Sequence, residues 1–462
     1  MNLSVAIVHN YYGKHSGEET VVENLAALLE KRGVVVRRFS RSSAEIEDKL
    51  SGKMAAFFSG IHNPFAAKEF GEFLKSNRPD VVHIHNLYPL MSPAILPVCK
   101  AFGVPVVMTV HNFRLVCPNG LLLSNGEICH RCLGGREYWC VLRNCEDSIF
   151  KSTGYALRTA AVRLLRRYFD NVDHFICLSE FQKNILVSEG LPVDRVSVMA
   201  NPLSLSDSLG NDKRMMDPRQ AHSGMKDDWI PASAGMTVKK DEEERLGSIE
   251  GRLNQHDENI GSPTGTFGDN KRCGGYVAYV GRISPEKDIM TLLAAARMLG
   301  DIPIKFAGDY HRMPEVLNQK PNNCEFLGQL NTNEIASFYS NAQMVVFATR
   351  CYEGFPSVLL ESMSHGLPII CSRIGGLPEI VEDNVTGLLY ESGNAGELAS
   401  RIQTLWGDPD LCARLGAAGR KKLDEKYNPD TLLDQIIEIY EKVMKEKAEG
   451  KTVQCSTFNV QS

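Results

Sequence analysis

From Leu3 to Asn201 one pattern repeats: a short apolar run that closes on polar residues, then a stretch of helical period. "LSVAIVHN" reads as a buried strand, "EETVVENLAALLEKRG" as an amphipathic helix ending at Gly33, and "VVVRRFS" as the next strand. "PDVVHIHN", "PVVMTVHN", "DHFICLS" and "VSVMAN" are further strands. The alternation resumes at "YVAYVGRI" and runs through "IPIKFAGD", "CEFLGQL", "AQMVVFAT" and "LPIICSR", with helices at "DIMTLLAAARML" and "TNEIASFYSNA". Strands that alternate with helices need crossover connections, so each half is expected to build a parallel α/β sheet of Rossmann type. Two such domains facing each other would share a cleft at their strand C-terminal ends, where ligands bind in these folds.

The expected domains are 1–203, a polar insertion at 206–272, 273–425, a C-terminal helix "PDTLLDQIIEIYEKVMKEK" over 428–447, and a polar tail at 448–462. The insertion carries 10 Lys/Arg and 13 Asp/Glu with almost no periodic apolar residues, so disorder is expected there. With 43% hydrophobic and 23% charged residues, the composition is that of a soluble globular protein. A net charge of -5 argues against a nucleic-acid partner. "MNLSVAIVHNYY" lacks the basic start and apolar core of a secretory signal, and no long uncharged apolar run occurs. A cytoplasmic location is expected, with the 13 cysteines as thiols or metal ligands.

One segment, "YEGFPSVLLESMSHGLPIICSRIGG", asks for a ligand. Gly354 and Pro356 predict a turn, and "SVLLESMSHG" a short helix ended by Gly366. Pro356 and Ser357 then stand at a helix start, where free N–H groups and the helix dipole favour an anion or a sugar oxygen. Glu353 precedes this helix and Glu361 lies within it.

In order and spacing, "YVGRISPEKD", "FAGD", "FLGQL", "EGFPSVLLE" and "HGLPIICSRIGGLPEIVEDNVTGLLY" resemble the nucleotide-sugar domain of family 4 glycosyltransferases. "SGEE", "PDVVHIHN", "VVMTVHN" and "SVMANPL" in the first half agree with that family. The resemblance implies a GT-B fold and transfer of a sugar from a nucleoside diphosphate donor to an acceptor, with retention at the anomeric carbon and no catalytic metal. It implies that Arg282 and Lys287, just after Gly281, grip the diphosphate, whose charge grows as it leaves. Glu361 would accept hydrogen bonds from the donor ribose, and Glu353 would lie near the transferred sugar. Phe355 and Ser357 would offer backbone N–H groups, which Pro356 cannot. His111, at the end of "VVMTVHN", matches the family histidine near the reacting sugar. Gly17 matches the glycine-rich turn that opens the first helix, although Ser16 stands where many members have glycine. In this mechanism the leaving phosphate itself accepts the acceptor's proton. His83 and His85 carry a structural reading or a metal reading.

Cys129, Cys132, Cys140 and Cys145 follow the spacing C-x2-C-x7-C-x4-C, with Cys117 and His130 nearby. Four thiolates so spaced can hold a structural zinc; unligated thiols or a redox-sensitive pair are the alternatives. "KSTGYALRTAAVRLLRRYF" (151–169) reads as a basic amphipathic helix. Such a helix can lie on an anionic membrane surface near a lipid-linked acceptor, or pack on its own sheet with solvated arginines. Two rivals stand beside the transferase reading: a nucleotide-sugar epimerase of the same fold, which needs no acceptor, and a catalytically silent sugar-binding homologue.

Overall fold

In a computed structural model of the chain, residues 3–12, 17–43, 60, 62–202 and 275–450 are described. The insertion expected at 206–272 lies outside them, as do Ser16 and residues 451–462 of the tail. Contacts join the residues before and after the insertion into one compact unit.

The first half forms strands β1 (Ser4–Tyr11), β2 (Val35–Ser42), β3 (Val81–Asn86) and β4 (Val106–Val110). A small hairpin follows, β5 (Leu123–Ser124) with β6 (Glu127–Ile128), and then β7 (His174–Cys177) and β8 (Val196–Val198). The sheet order is β2-β1-β3-β4-β7-β8, all parallel. The second half supplies β9 (Tyr276–Val280), β10 (Ile304–Ala307), β11 (Cys324–Gly328), β12 (Ala342–Phe347), β13 (Ile369–Ser372) and β14 (Gly387–Tyr390). Their order is β11-β10-β9-β12-β13-β14, again parallel. The strand order reverses direction between β1 and β3 in one sheet and between β9 and β12 in the other. Open α/β sheets bind ligands at such points.

Local chemistry fixes the helices. Asn63 caps the helix Pro64–Asn77 by accepting from Ala66 N–H, with Pro64 at the first helical position, where its missing N–H costs nothing. Asn331 and Glu334 close a capping box on the helix Thr332–Asn341. Val5, Ile7, Val107 and Ile176 are fully or almost fully buried, since crossover helices cover both faces of a parallel sheet.

The last helix, Pro429–Ala448, belongs by packing to the first sheet. Leu432, Leu433, Ile436, Ile439, Tyr440 and Val443 recur at helical spacing and pack on Leu3, Val5, Ile7, Val107 and Ile176. Each such side chain contributes about 1.5–3 kcal/mol by leaving water. The Tyr440 hydroxyl lies 2.6 Å from His83 Nδ1, and His83 Nε2 lies 2.8 Å from Thr109 Oγ1, so the buried ring has both nitrogens satisfied. This supports the structural reading of His83. At the helix edge, Arg32 pairs with Asp434 at 2.6 Å.

Candidate active site

The second sheet delivers two loops side by side. After β9, Gly281 adopts φ 144°, a conformation suited to glycine, and the Tyr279 hydroxyl donates to the Arg282 carbonyl at 3.0 Å. After β10, a Cβ on Gly308 would lie 1.8 Å from the Gly281 carbonyl oxygen, so only glycine lets these strand ends approach. The Arg282 side chain is 57% exposed and paired with Glu286 at 3.6 Å. Lys287 ends the short turn Pro285–Lys287, and its Nζ lies 2.6 Å from Glu353 Oε1. Both side chains are less than one-fifth exposed. Burial opposes the charge on each, but the pairing outweighs it: the Lys287 pKa moves up and that of Glu353 moves down. Both groups are therefore ionised. Thr349 Oγ1 also donates to Glu353 Oε1, at 3.0 Å.

The turn that carries Lys287 is held by a residue the motif reading passed over. Asp288, buried and at φ 51°, accepts from Arg350 Nε at 2.6 Å, Thr291 Oγ1 at 2.7 Å and Gly393 N–H at 3.1 Å. Its signal was in view, since an acid directly follows Lys287 in "SPEKD".

The helix after the turn runs Ser357–Ser364, with Pro356 at its cap and no side chain capping it. Glu361 accepts from the Tyr339 hydroxyl at 2.8 Å, which orients the carboxylate and leaves acceptor capacity. The Phe355 ring is spent on packing, 5.3 Å from that of Tyr427, so only its backbone remains for a ligand. Gly17 opens the helix Gly17–Lys31, with no atom within 4 Å of where a Cβ would stand.

In the first sheet His9, His85 and His111 gather at the strand C-terminal ends. His111 Nε2 lies 2.8 Å from His85 Nδ1, with the rings stacked at 5.1 Å. Burial lowers the pKa of His111 and His83 to about 3 and that of His9 to about 4. These rings are neutral imidazoles at pH 7. Both nitrogens of His9, His85 Nε2 and Glu18 Oε1 are buried without a hydrogen-bond partner among the described residues. Such atoms await a ligand or water.

Those histidines make stability depend on pH. Unfolded, each titrates near 6.5; folded, His9, His83, His111 and His174 (about 4) hold protons only at lower pH. Between pH 6.5 and 4.5 the unfolded chain therefore binds more protons, and stability falls as the solution is acidified. Each ring contributes a slope of up to about 1.4 kcal/mol per pH unit. Glu18, raised to about 7 by burial, opposes this with one group, because its contribution is lost as pH rises. Urea unfolding midpoints across this range are expected to drop on the acid side; a flat profile would contradict the buried neutral rings.

The halves meet at His111. A Cβ on Gly354 would lie 2.7 Å from the His111 carbonyl oxygen and 3.1 Å from Leu178 Cδ1, which places Glu353 beside the histidine strand end. Tyr352 packs its ring against Phe181 at 4.6 Å and Phe113 at 6.0 Å. The Glu379 carboxylate reaches across to accept from the N–H groups of Glu180 (2.8 Å) and Phe181 (2.7 Å), the start of the helix Glu180–Ser188. No local pattern announced that bridge. The His111 strand end thus meets the loop that carries Glu353 and its partner Lys287, with the exposed Arg282 on the neighbouring loop. Such a set can hold an anion and a hydroxylated ring.

The cysteine loop and the basic helix differ from expectation. Cys132 and Cys140 pack together with Cys145 alongside. Cys117 instead packs with Phe113 and Leu122, and its thiol donates to Asn119 Oδ1 at 3.0 Å. Among the described residues no group of three or more His, Cys, Asp or Glu stands so as to hold a metal ion. The expected helix 151–169 is Ile149–Leu164, and Arg166 at φ 48° lies beyond its end. Arg158 turns inward, donating to the Pro118 carbonyl at 2.9 Å between the rings of Tyr88 and Tyr155. Arg163 pairs with Glu137 at 2.6 Å. The outward face carries Ile149, Phe150, Leu157, Leu164 and Leu165, each more than half exposed.

Comparison with known proteins accounts for this architecture. Residues 15–207 match the family described as Glycosyltransferase Family 4, and residues 271–422 match Glycosyl transferases group 1. Alpha-maltose-1-phosphate synthase of Mycolicibacterium smegmatis is 31% identical over 185 residues, 36% of this chain and 48% of that protein. The capsular polysaccharide biosynthesis glycosyltransferase CapM of Staphylococcus aureus is 26% identical over 186 residues, 38% of this chain and 48% of that protein. The chain thus spans about half the length of the curated relatives it matches. Among solved structures, Anabaena HepE in complex with UDP shares the fold with a TM-score of 0.59 at 16% identity, over 95% of this chain and 100% of that one. Sucrose-phosphate synthase of Thermosynechococcus elongatus gives a TM-score of 0.61 at 16% identity, over 96% and 99%. The fold is GT-B, and the chain belongs to the family 4 glycosyltransferases.

Proposed function

We propose that the chain is a retaining glycosyltransferase that moves a sugar from a uridine diphosphate sugar to an acceptor in cell-surface polysaccharide or glycolipid assembly. The observation that carries this reading is the buried Lys287–Glu353 pair held against the His111 strand end by Gly354. Arg282 and Lys287 face the charge that develops on the departing diphosphate, where fixed donors act more strongly than in water. Glu361 takes the ribose diol, with backbone N–H groups of Phe355 and Ser357 on the sugar and Glu353 beside its hydroxyls. Gly17 and Gly281 leave room for the phosphates. Neutral His111 donates to a sugar oxygen, and the leaving phosphate takes the acceptor's proton on the same face. UDP is favoured because HepE of Anabaena was solved with UDP and with UDP-glucose.

Calorimetry with UDP, GDP and ADP tests the donor site. UDP is expected to bind best, and Arg282→Ala to weaken it about 10–100-fold through the loss of a charged hydrogen bond. Absence of nucleotide binding to folded protein overturns the reading. A requirement for an acceptor separates transfer from epimerisation.

A second observation favours a lipid-linked acceptor. No helix among the described residues is long and apolar enough to cross a membrane. The exposed apolar face of Ile149–Leu164, with exposed Lys151 beside it, fits the headgroup region of an anionic bilayer. Phosphatidylglycerol vesicles are expected to sediment the protein, and Leu157→Asp combined with Leu164→Asp to prevent it; equal sedimentation of both proteins removes this assignment.

A further inference from the structure

The short helix Tyr138–Leu142 ends in an unusual way for its composition. Cys145 N–H donates to the Cys140 carbonyl at 3.1 Å and Asn144 N–H to that of Val141 at 3.0 Å, with Asn144 in the left-handed region at φ 46°. This nested pair of bonds is a recurrent helix stop, and it brings the side chains of its first and sixth residues into contact. An apolar pair ordinarily fills that contact. Here both positions are cysteine.

Other contacts hold the two thiols in place. Cys132, Cys140 and Cys145 pack in one small cluster with Ala156, and Cys145 Sγ lies 3.4 Å from Ser124 Oγ in the small hairpin. Cys140 is buried, whereas Cys145 is partly open to solvent, so one sulfur can be attacked from outside and the other waits behind it. The same loop carries His130 and Phe113, whose rings flank Tyr352, the neighbour of Glu353.

We propose that Cys140 and Cys145 are a reversible dithiol–disulfide pair, oxidised by small-molecule disulfides, which staples the C-terminal stop of the helix Tyr138–Leu142. The Cys145 sulfur attacks one sulfur of glutathione disulfide and releases one glutathione, which keeps the proton from Cys145. The Cys140 sulfur then displaces the second glutathione from Cys145, and the Cys140 proton goes to that leaving group. Two protein thiols are oxidised to one disulfide, and one glutathione disulfide is reduced to two thiols.

The test is oxidation of the full chain with glutathione disulfide, followed by peptide mapping by mass spectrometry, with metal content measured on the same sample. The expected product has lost two hydrogens, maps to a Cys140–Cys145 crosslink and is reversed by dithiothreitol. Cys140→Ser should stop the reaction at a glutathione adduct on Cys145, and wild-type mapping decides the matter should that variant not fold. A crosslink to Cys132 or Cys117, no crosslink, or stoichiometric zinc that protects both thiols overturns the proposal. None of these readouts requires transferase activity, so the pair is judged separately from the proposed function.

Discussion

Lys287→Ala is expected to lower kcat/KM by about 100- to 1000-fold, the usual cost of removing one fixed donor from a developing charge. It should also destabilise the fold. Glu353 would be left buried and ionised beside Thr349, without the ammonium 2.6 Å away that offsets its desolvation. Breaking one side of a buried pair costs about 3–5 kcal/mol. The double variant Lys287→Ala with Glu353→Gln separates the two effects, because the amide needs no cation. Urea unfolding should show stability largely recovered, while UDP release from the donor stays low. Activity returning along with stability would mean that Lys287 acts only as a structural partner.

Gly354→Ala is expected to cost about 100-fold in kcat/KM while leaving the unfolding midpoint nearly unchanged. One added methyl would stand 2.7 Å from the His111 carbonyl oxygen, a backbone atom that cannot rotate away. A small shift of one half against the other relieves the clash, since the two largest cores are each built from their own half while smaller clusters join the halves. A displacement near 1 Å at reacting groups is enough for such a loss. A fall in stability comparable to a core substitution, with transfer intact, would show that the contact serves folding and not alignment.

Much of this was legible from local pattern. Every strand run quoted from the sequence lies on a strand, and the central strands are buried, continuous apolar runs that end abruptly. Glu353 and Glu361 could be singled out from the turn and short helix around them, whereas Lys287 was marked only by the family resemblance. The strand Gly387–Tyr390 was not read as one: "VTGLLY" opens it on a glycine and leaves only Leu388 and Leu389 as aliphatic signal. Pairings across long separations were equally silent. Tyr440 meets His83 across 357 positions, and Glu379 caps a helix 199 positions earlier. Within the basic run 151–169 the inward turn of Arg158 was hidden, because an arginine stacked on two tyrosines has the same letter as a solvated one. The cysteine spacing likewise did not show the helix stop at Asn144, which is built from backbone bonds between Cys145 and Cys140 and between Asn144 and Val141.

The helix Pro429–Ala448 also bears on how the protein is made. Its apolar stripe covers Val5, Ile7 and Val107, which are translated first, while the helix itself is translated more than 200 residues after β8. At about 5–20 residues per second, the nascent first sheet waits roughly tens of seconds with that face uncovered. Throughout this interval the newborn chain offers a chaperone, or another newborn chain, an apolar strip to hold. Completion of this helix, rather than of the first sheet, marks when the strip is covered.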